Sequence, residues 1–431
     1  MKPYLNYIIG FLFIACLIAI SFLIERNDFY PLITLYGIVF GLSILAYRNT
    51  NDHQTVLFFI GIAILSRVIL LFSFPNLSDD IFRFIWDGKL WHSDINPFDA
   101  LPSDYAKNGF PDGLNTELYD QLNSKNYFTI YPPLAQFTFY IATFSNDFWW
   151  NAVFMKLFLF AAEIGTIALL YQLIPNRKIL LYALNPLIII EIMGNLHFEG
   201  VMIFFLLFSF FLLIKGKNNL SAIAFALSIA SKLLPLMFLP FLIHKLGWRR
   251  SMQYFIIVGS VTLALFYPLF GSFFIENFGN SLNLYFQKFE FNASLYYALR
   301  WVGFQIFGHN IIQFLGPFLA LIVGITILAK AIKNKNTDLN ELPQQWLFAI
   351  TLYLFCTTTV HPWYVALPIV LCLFTNFRYP ILWSAVIFLT YINYSYAEYF
   401  ENIWVVTVEY FAVFGYLGWE SFRQKNEVNL F

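Results

Sequence analysis

Apolar segments recur along almost the whole chain, many of them long enough to cross a bilayer as a helix. A crossing helix needs ~20 mostly apolar residues. Such segments fall at residues 4–24, 30–47, 55–74, 151–174, 179–193, 201–214 and 221–230. They continue at 233–243, 251–270, 311–329, 346–359, 364–374, 380–396 and 403–419. Two stretches, the pair flanking Lys232 and residues 131–145, suit half-helices, so the expected number of crossings is 11 to 14. Hydrophobic residues make up 59% of the 431 positions and charged residues 12%. Mean hydropathy is +0.66. No soluble domain of this length needs that much apolar surface. The expected fold class is therefore an all-α polytopic integral membrane protein, with large loops carrying short amphipathic helices. The first segment is too long for a signal peptide and lacks a small-residue cleavage site, so it reads as an anchor. Cys16, Cys356 and Cys372 all lie in apolar runs, with neither a disulfide framework nor zinc spacing. Zero net charge argues against nucleic acid as a partner.

Basic residues set the expected orientation. They cluster at Arg177-Lys178, Lys215/Lys217, Lys245/Arg249/Arg250, Lys330/Lys333/Lys335, Arg378 and Arg423/Lys425. Holding these in the cytoplasm gives an even number of crossings with both termini inside. Loop 75–130, with its nine carboxylates, then lies outside, as do 195–200, 271–308 and 361–364. The expected organisation is an N-terminal hairpin (1–50), a catalytic core (51–376) with outer loops 75–130 and 271–308, and C-terminal helices with a short cytoplasmic tail (377–431). No Gly-rich phosphate loop marks a nucleotide site. Chemistry is expected on the outer face, where nucleotide donors are not available.

The most chemical stretch is Ser78-Asp79-Asp80-Ile-Phe-Arg83-Phe-Ile-Trp86-Asp87-Gly88. If Ser78 caps a helix, Asp80, Arg83 and Asp87 share one face at i, i+3 and i+7. Acid, base partner and second acid would look into one space. The structural alternative is a favourable helix dipole and a plain ion pair. Arg67, Lys156, Glu163, Glu191, Lys232 and Glu409 lie in or beside apolar segments, where each costs ~2.5–3.5 kcal/mol unless partnered. Lys156 and Glu163, seven apart, read as a structural pair. Lys232 stands at a helix break before Pro235, a place where a cation commonly lines an anion site. His197 and Glu199 share a short loop but lack a third metal ligand. His361-Pro362-Trp363-Tyr364 is a rigid aromatic turn whose histidine could donate to a phosphate. Tyr131-Pro132-Pro133 reads as a stiff, structural re-entry, and Asn292 with its neighbours offers groups that suit a sugar.

Seven motifs in order carry a resemblance: Asp80-Ile-Phe-Arg83-Phe-Ile-Trp86-Asp87-Gly88, Asn96-Pro97-Phe98, Ile130-Tyr131-Pro132-Pro133, Asn195-Leu-His197-Phe-Glu199, Ser231-Lys232-Leu-Leu-Pro235, Phe291-Asn292-Ala-Ser294 and His361-Pro362-Trp363-Tyr364. Together they resemble the bacterial polytopic mannosyltransferases of the GT-C superfamily, which take sugars from polyprenyl-phosphate carriers. That family typically has Tyr at the position of Phe84 and often Asp at that of Glu199. The resemblance implies an enzyme of the bacterial inner membrane, an inverting hexosyltransferase that moves mannose to a glycan, lipid or protein acceptor. Asp80 would be the base, with Asp79 and Asp87 as further catalytic carboxylates. Lys232, Arg83 and His361 would hold the lipid phosphate; His197, Glu199, Asn292, Trp86 and Tyr364 would hold sugar or acceptor. Asp79, four residues before Arg83, would position that arginine. No cofactor is assigned; a divalent ion, if the reaction uses one, would bind at Asp79 and Asp87. The alternative functions are a lipid-linked sugar polymerase or ligase, and a transporter or flippase of such sugars.

Overall fold

The computed structural model describes residues 2–174, 177–396 and 398–428. Its first three helices are α1 (Lys2–Leu23), α2 (Phe29–Asn49) and α3 (His53–Leu70). Loop 75–130 carries α4 (Asp80–His92), α5 (Pro102–Asn108) and α6 (Thr116–Asp120). Then follow α7 (Pro133–Ala142), α8 (Phe148–Leu173), α9 (Leu180–Ala183), α10 (Glu199–Ile214), α11 (Asn218–Ser231), α12 (Leu242–Leu246) and α13 (Trp248–Phe266). Loop 271–308 holds α14 (Phe274–Gln287) and α15 (Leu295–Phe307). The chain ends with α16 (Ile312–Lys333), α17 (Leu342–Cys356), α18 (Ala366–Cys372), α19 (Tyr379–Val386) and α20 (Ile403–Val428). Among the described residues there is no strand, only an isolated bridge between Phe291 and Thr359.

Among the described residues, six helices are long and apolar enough to cross a membrane: Tyr4–Leu23, Phe29–Asn49, His53–Leu70, Phe148–Leu173, Trp248–Leu269 and Ile312–Lys333. A seventh crossing results if Ile188–Gly194 and Glu199–Ile214, bent by 109°, form one span. The chain is an all-α polytopic membrane protein. Other apolar segments of the sequence become short or broken helices, for local reasons. Pro235 and Pro240 remove backbone donors, and residues Leu234–Phe241 adopt a 3-10 helix instead. Residues Ile188–Gly194 form a π-helix, and Leu196 just beyond it takes a positive φ of 63°. That wide turn redirects the chain and brings Glu191, Asn195 and His197 together.

The ionisable groups of the apolar segments have partners, as their insertion cost demands. The expected Lys156–Glu163 pair does not form. Lys156 instead donates to the Leu70 and Ser73 carbonyls. Glu163 accepts from Arg67 at 3.0 Å and from Tyr182 at 2.5 Å, all fully buried. The i, i+7 spacing left two helical turns between them, and each found a nearer group on another helix. The α1–α2 hairpin is tied firmly to the rest: Tyr36 stacks on Phe388 with centroids 3.7 Å apart and donates to the Ser384 carbonyl.

Candidate active site

Helix α4 begins at Asp80, with Asp79 as its N-cap residue and no side-chain cap bond. An acidic first turn and Lys89 and His92 in the last turn both favour the helix dipole. Ser78 contributes by accepting from the Asp80 amide at 3.4 Å. The helix lies against α7 so closely that only glycine fits at position 88. A Cβ there would stand 2.3 Å from Thr143 Oγ1 and 2.5 Å from the Phe139 carbonyl oxygen. One turn away, Phe84 stacks on Phe139 (4.6 Å, 9°) and meets Tyr131 edge-on at 4.8 Å. Tyr131 is thereby aimed at Asp80.

Asp80 stands where two cavities meet. One, of about 640 Å³, is lined by Arg26, Asp79, Arg83, Asn123 and many aromatic rings, among them Tyr394 and Tyr399. The other, of about 420 Å³, is largely apolar and holds Lys232, Glu199, His197 and Tyr364. Asp80, Ile130, Tyr131 and Trp363 line both. The Asp80 carboxylate accepts from Asn123 Nδ2 at 3.1 Å on one oxygen and from Tyr131 at 3.2 Å on the other. Those two donors are neutral. Asp79, by contrast, is ion-paired with Arg26 from the α1–α2 turn. The Asp79 carboxylate is thus committed to a cation within the protein.

Arg83 and Asp87 form the plain ion pair that the sequence leaves as the structural alternative, Nε to Oδ1 at 2.8 Å, and Arg83 is held by this bond while Asp79 pairs with Arg26. Arg83 also donates to the Ser124 and Tyr127 carbonyls, so it pins the loop that presents Asn123. Its Nε and Nη1 are thus committed to the protein, while the residue still lines the larger cavity beside Asp80. Asp87 is fully buried, lines neither cavity, and takes a second bond from Gln136 at 2.8 Å. Trp86 likewise faces inward, packed against Tyr105, Phe110 and Tyr119 rather than a sugar. Asn292 is also buried outside the cavities. Its φ of 48° and its bond to Glu409 at 3.1 Å lock loop 289–292 onto α20.

Lys232 follows the last residue of α11, at the break. Its ammonium pairs with Glu199 and lies 4.2 Å from the Tyr364 ring centroid. Glu199 is therefore the counter-ion of Lys232. His197 donates through Nδ1 to the Glu191 carbonyl at 2.9 Å, because a carbonyl oxygen can only accept. His197 stacks on Trp363 (3.6 Å), Trp363 on His361 (4.5 Å) and His361 on Phe291 (4.7 Å). Enclosure in that stack, helped by the nearby His197 and Lys232, pushes the His361 pKa down to about 3. The ring is uncharged at neutral pH, and it lines the polar cavity rather than the one with Lys232. As a neutral ring it keeps one N–H donor but brings no positive charge. Among the described residues no group of three or more His, Cys, Asp or Glu has a metal-holding arrangement.

Four residues of the site are given no site role by the sequence. Asn123 and Gln136 lie in unremarkable polar contexts, Tyr131 reads as structural, and Arg26 sits in a turn far from α4. The pairing of Tyr131 and Asn123 with a carboxylate 51 and 43 residues away is visible only in three dimensions.

No curated protein and no solved structure matches the chain. Residues 38–247, just under half of the chain, match the family model described as alpha-(1->6)-mannopyranosyltransferase, N-terminal domain. That region contains Asp79, Asp80, Arg83, His197, Glu199 and Lys232, and the match supports a multi-pass membrane glycosyltransferase of the mannosyl-transferring kind.

Proposed function

We propose that the protein is an inverting glycosyltransferase that moves mannose from a polyprenyl-phosphate carrier to an acceptor hydroxyl, on the outer face of a bacterial inner membrane. The observation that carries the reading is the position of Asp80 between an aromatic-lined cavity richer in polar side chains and a more apolar one containing Lys232. The apolar cavity suits a lipid carrier and the polar one a sugar acceptor. Reaction would then occur at their junction.

In this reading the Asp80 carboxylate takes the proton of the acceptor hydroxyl. The acceptor oxygen forms a bond to the anomeric carbon from the face opposite the phosphate. The bond from that carbon to the phosphate oxygen breaks, its electron pair leaves with the polyprenyl phosphate, and the configuration inverts. Lys232 stabilises the charge that grows on the departing phosphate, in a site where low hydration strengthens the attraction. Glu199 and Tyr364 hold the ammonium in place. Asn123 and Tyr131 orient the carboxylate, while the Arg83–Asp87–Gln136 chain fixes α4 against the loop that carries them.

The test supplies vesicle-reconstituted protein with polyprenyl-phosphate-mannose or with GDP-mannose, and a mannoside acceptor. The reading expects a new glycosidic bond of inverted configuration from the lipid donor alone. Transfer from GDP-mannose, or movement of the lipid-linked sugar between leaflets with no bond formed, would refute it.

A further inference from the structure

The turn between α1 and α2 closes one side of the polar cavity, and it lies outside the region matched by the family model. Arg26 from this turn pairs with Asp79, and its guanidinium sits 4.4 Å from the centroid of the Tyr394 ring. These three side chains line both the polar cavity and a second polar cleft of about 540 Å³, completed by Glu25, Asn27 and Asn76. A ligand longer than the group reacting at Asp80 would meet these three side chains at the edge of the cavity.

The chemistry of that edge is selective. Arg26 and Asp79 together carry no net charge, and their side chains remain 29% and 42% exposed. A guanidinium beside a carboxylate presents planar N–H donors next to oxygen acceptors, which neighbouring sugar hydroxyls can satisfy as both acceptors and donors. The Tyr394 ring, beneath the guanidinium, adds an apolar edge to the subsite. An anionic sugar gains little from an arginine already neutralised, and it meets the charges of Asp79 and Glu25.

We infer that Arg26, Asp79 and Tyr394 form an acceptor subsite for the second sugar of a neutral oligosaccharide, so that the acceptor is at least a disaccharide. The inference rests on the transferase reading for the identity of the polar cavity as the acceptor side. Its test needs no donor. Calorimetric titration of the purified full-length protein with α-1,6-mannobiose and with methyl α-mannoside compares a two-unit with a one-unit ligand. One charge-assisted hydrogen bond contributes ~1.5–3 kcal/mol, so mannobiose is expected to bind ~10-fold or more tightly. Arg26→Gln should bring the two affinities within about threefold of each other, at an unchanged thermal midpoint. Arg26→Lys keeps the charge but loses the fork, and should resemble Arg26→Gln more than wild type. Equal affinities in the wild type, or an equal loss for both ligands in Arg26→Gln, would overturn the subsite. So would tighter binding of a uronic-acid disaccharide. Because binding is read without polyprenyl-phosphate-mannose, a failure of transfer refutes the transferase reading alone.

Discussion

Replacing Lys232 by methionine separates two jobs that one ammonium performs. It neutralises Glu199, whose side chain is 4% exposed, and it stands ready for a phosphate in the apolar cavity, with its own side chain 28% exposed. Removing the cation strands a buried carboxylate. Breaking a fully buried pair costs ~3–5 kcal/mol, and the open lysine places this pair at or below the lower end. A lost charge-assisted bond to phosphate costs a further ~1.5–3 kcal/mol in the transition state, or ~10–150-fold in kcat/KM for the lipid donor. The two losses are separable by adding Glu199→Gln, which removes the stranded charge. In the double variant the thermal midpoint should recover while kcat/KM for the donor stays low. Thermal unfolding and donor-dependence of the initial rate, measured on the single and double variants, decide the matter. A double variant with donor kcat/KM within a fewfold of wild type would mean that Lys232 exists only to neutralise Glu199.

Further outcomes follow from the helix that carries Asp80. Gly88→Ala forces a Cβ into Thr143 and the Phe139 backbone, so it should cost ~1–3 kcal/mol by overpacking and lower kcat as α4 shifts from α7; denaturant titration with rate measurement checks both. Asp87→Asn leaves Arg83 buried without its anion, a loss of ~3–5 kcal/mol in stability with kcat reduced and donor KM kept, because Arg83 anchors the loop bearing Asn123. His361 also links stability to pH. Its pKa is depressed to about 3 by burial, so the unfolded chain binds its proton first as pH falls below about 6.5. Stability present above that pH should be lost progressively toward pH 3. His361→Phe should flatten this acid limb in thermal midpoints measured across pH 4–8, and an unchanged slope would contradict the assignment.

The membrane class, the Arg83–Asp87 pairing and the break at Lys232 are legible in the sequence because each rests on local spacing or on runs of apolar residues. The directions of side chains are not. Almost every face of α4 is buried, including Ile81, Phe84, Ile85 and Trp86, so helical periodicity gives no reason to turn Trp86 inward rather than toward a sugar. Asp79 illustrates the second difficulty. Its nearest cation in sequence is Arg83, yet its partner is Arg26, 53 residues earlier in a hairpin that reads as an addition to the core. Lys156 and Glu163 fail as a pair for the same reason: each is claimed by groups on another segment. Asn292 has the amide of a sugar ligand, but a left-handed backbone and a buried glutamate on α20 take it instead.

The central claim, that Asp80 is the base for sugar transfer, is tested most directly by Asp80→Asn in the reconstituted transfer assay. Asparagine keeps the shape of the side chain and can still accept from Tyr131, but it cannot take the acceptor's proton. Loss of general-base help typically costs ~10²–10⁴-fold, so turnover should fall by that range while binding of polyprenyl-phosphate-mannose and the thermal midpoint stay near wild type. Transfer by Asp80→Asn within a fewfold of wild type, in protein that folds and binds its donor normally, would contradict the account.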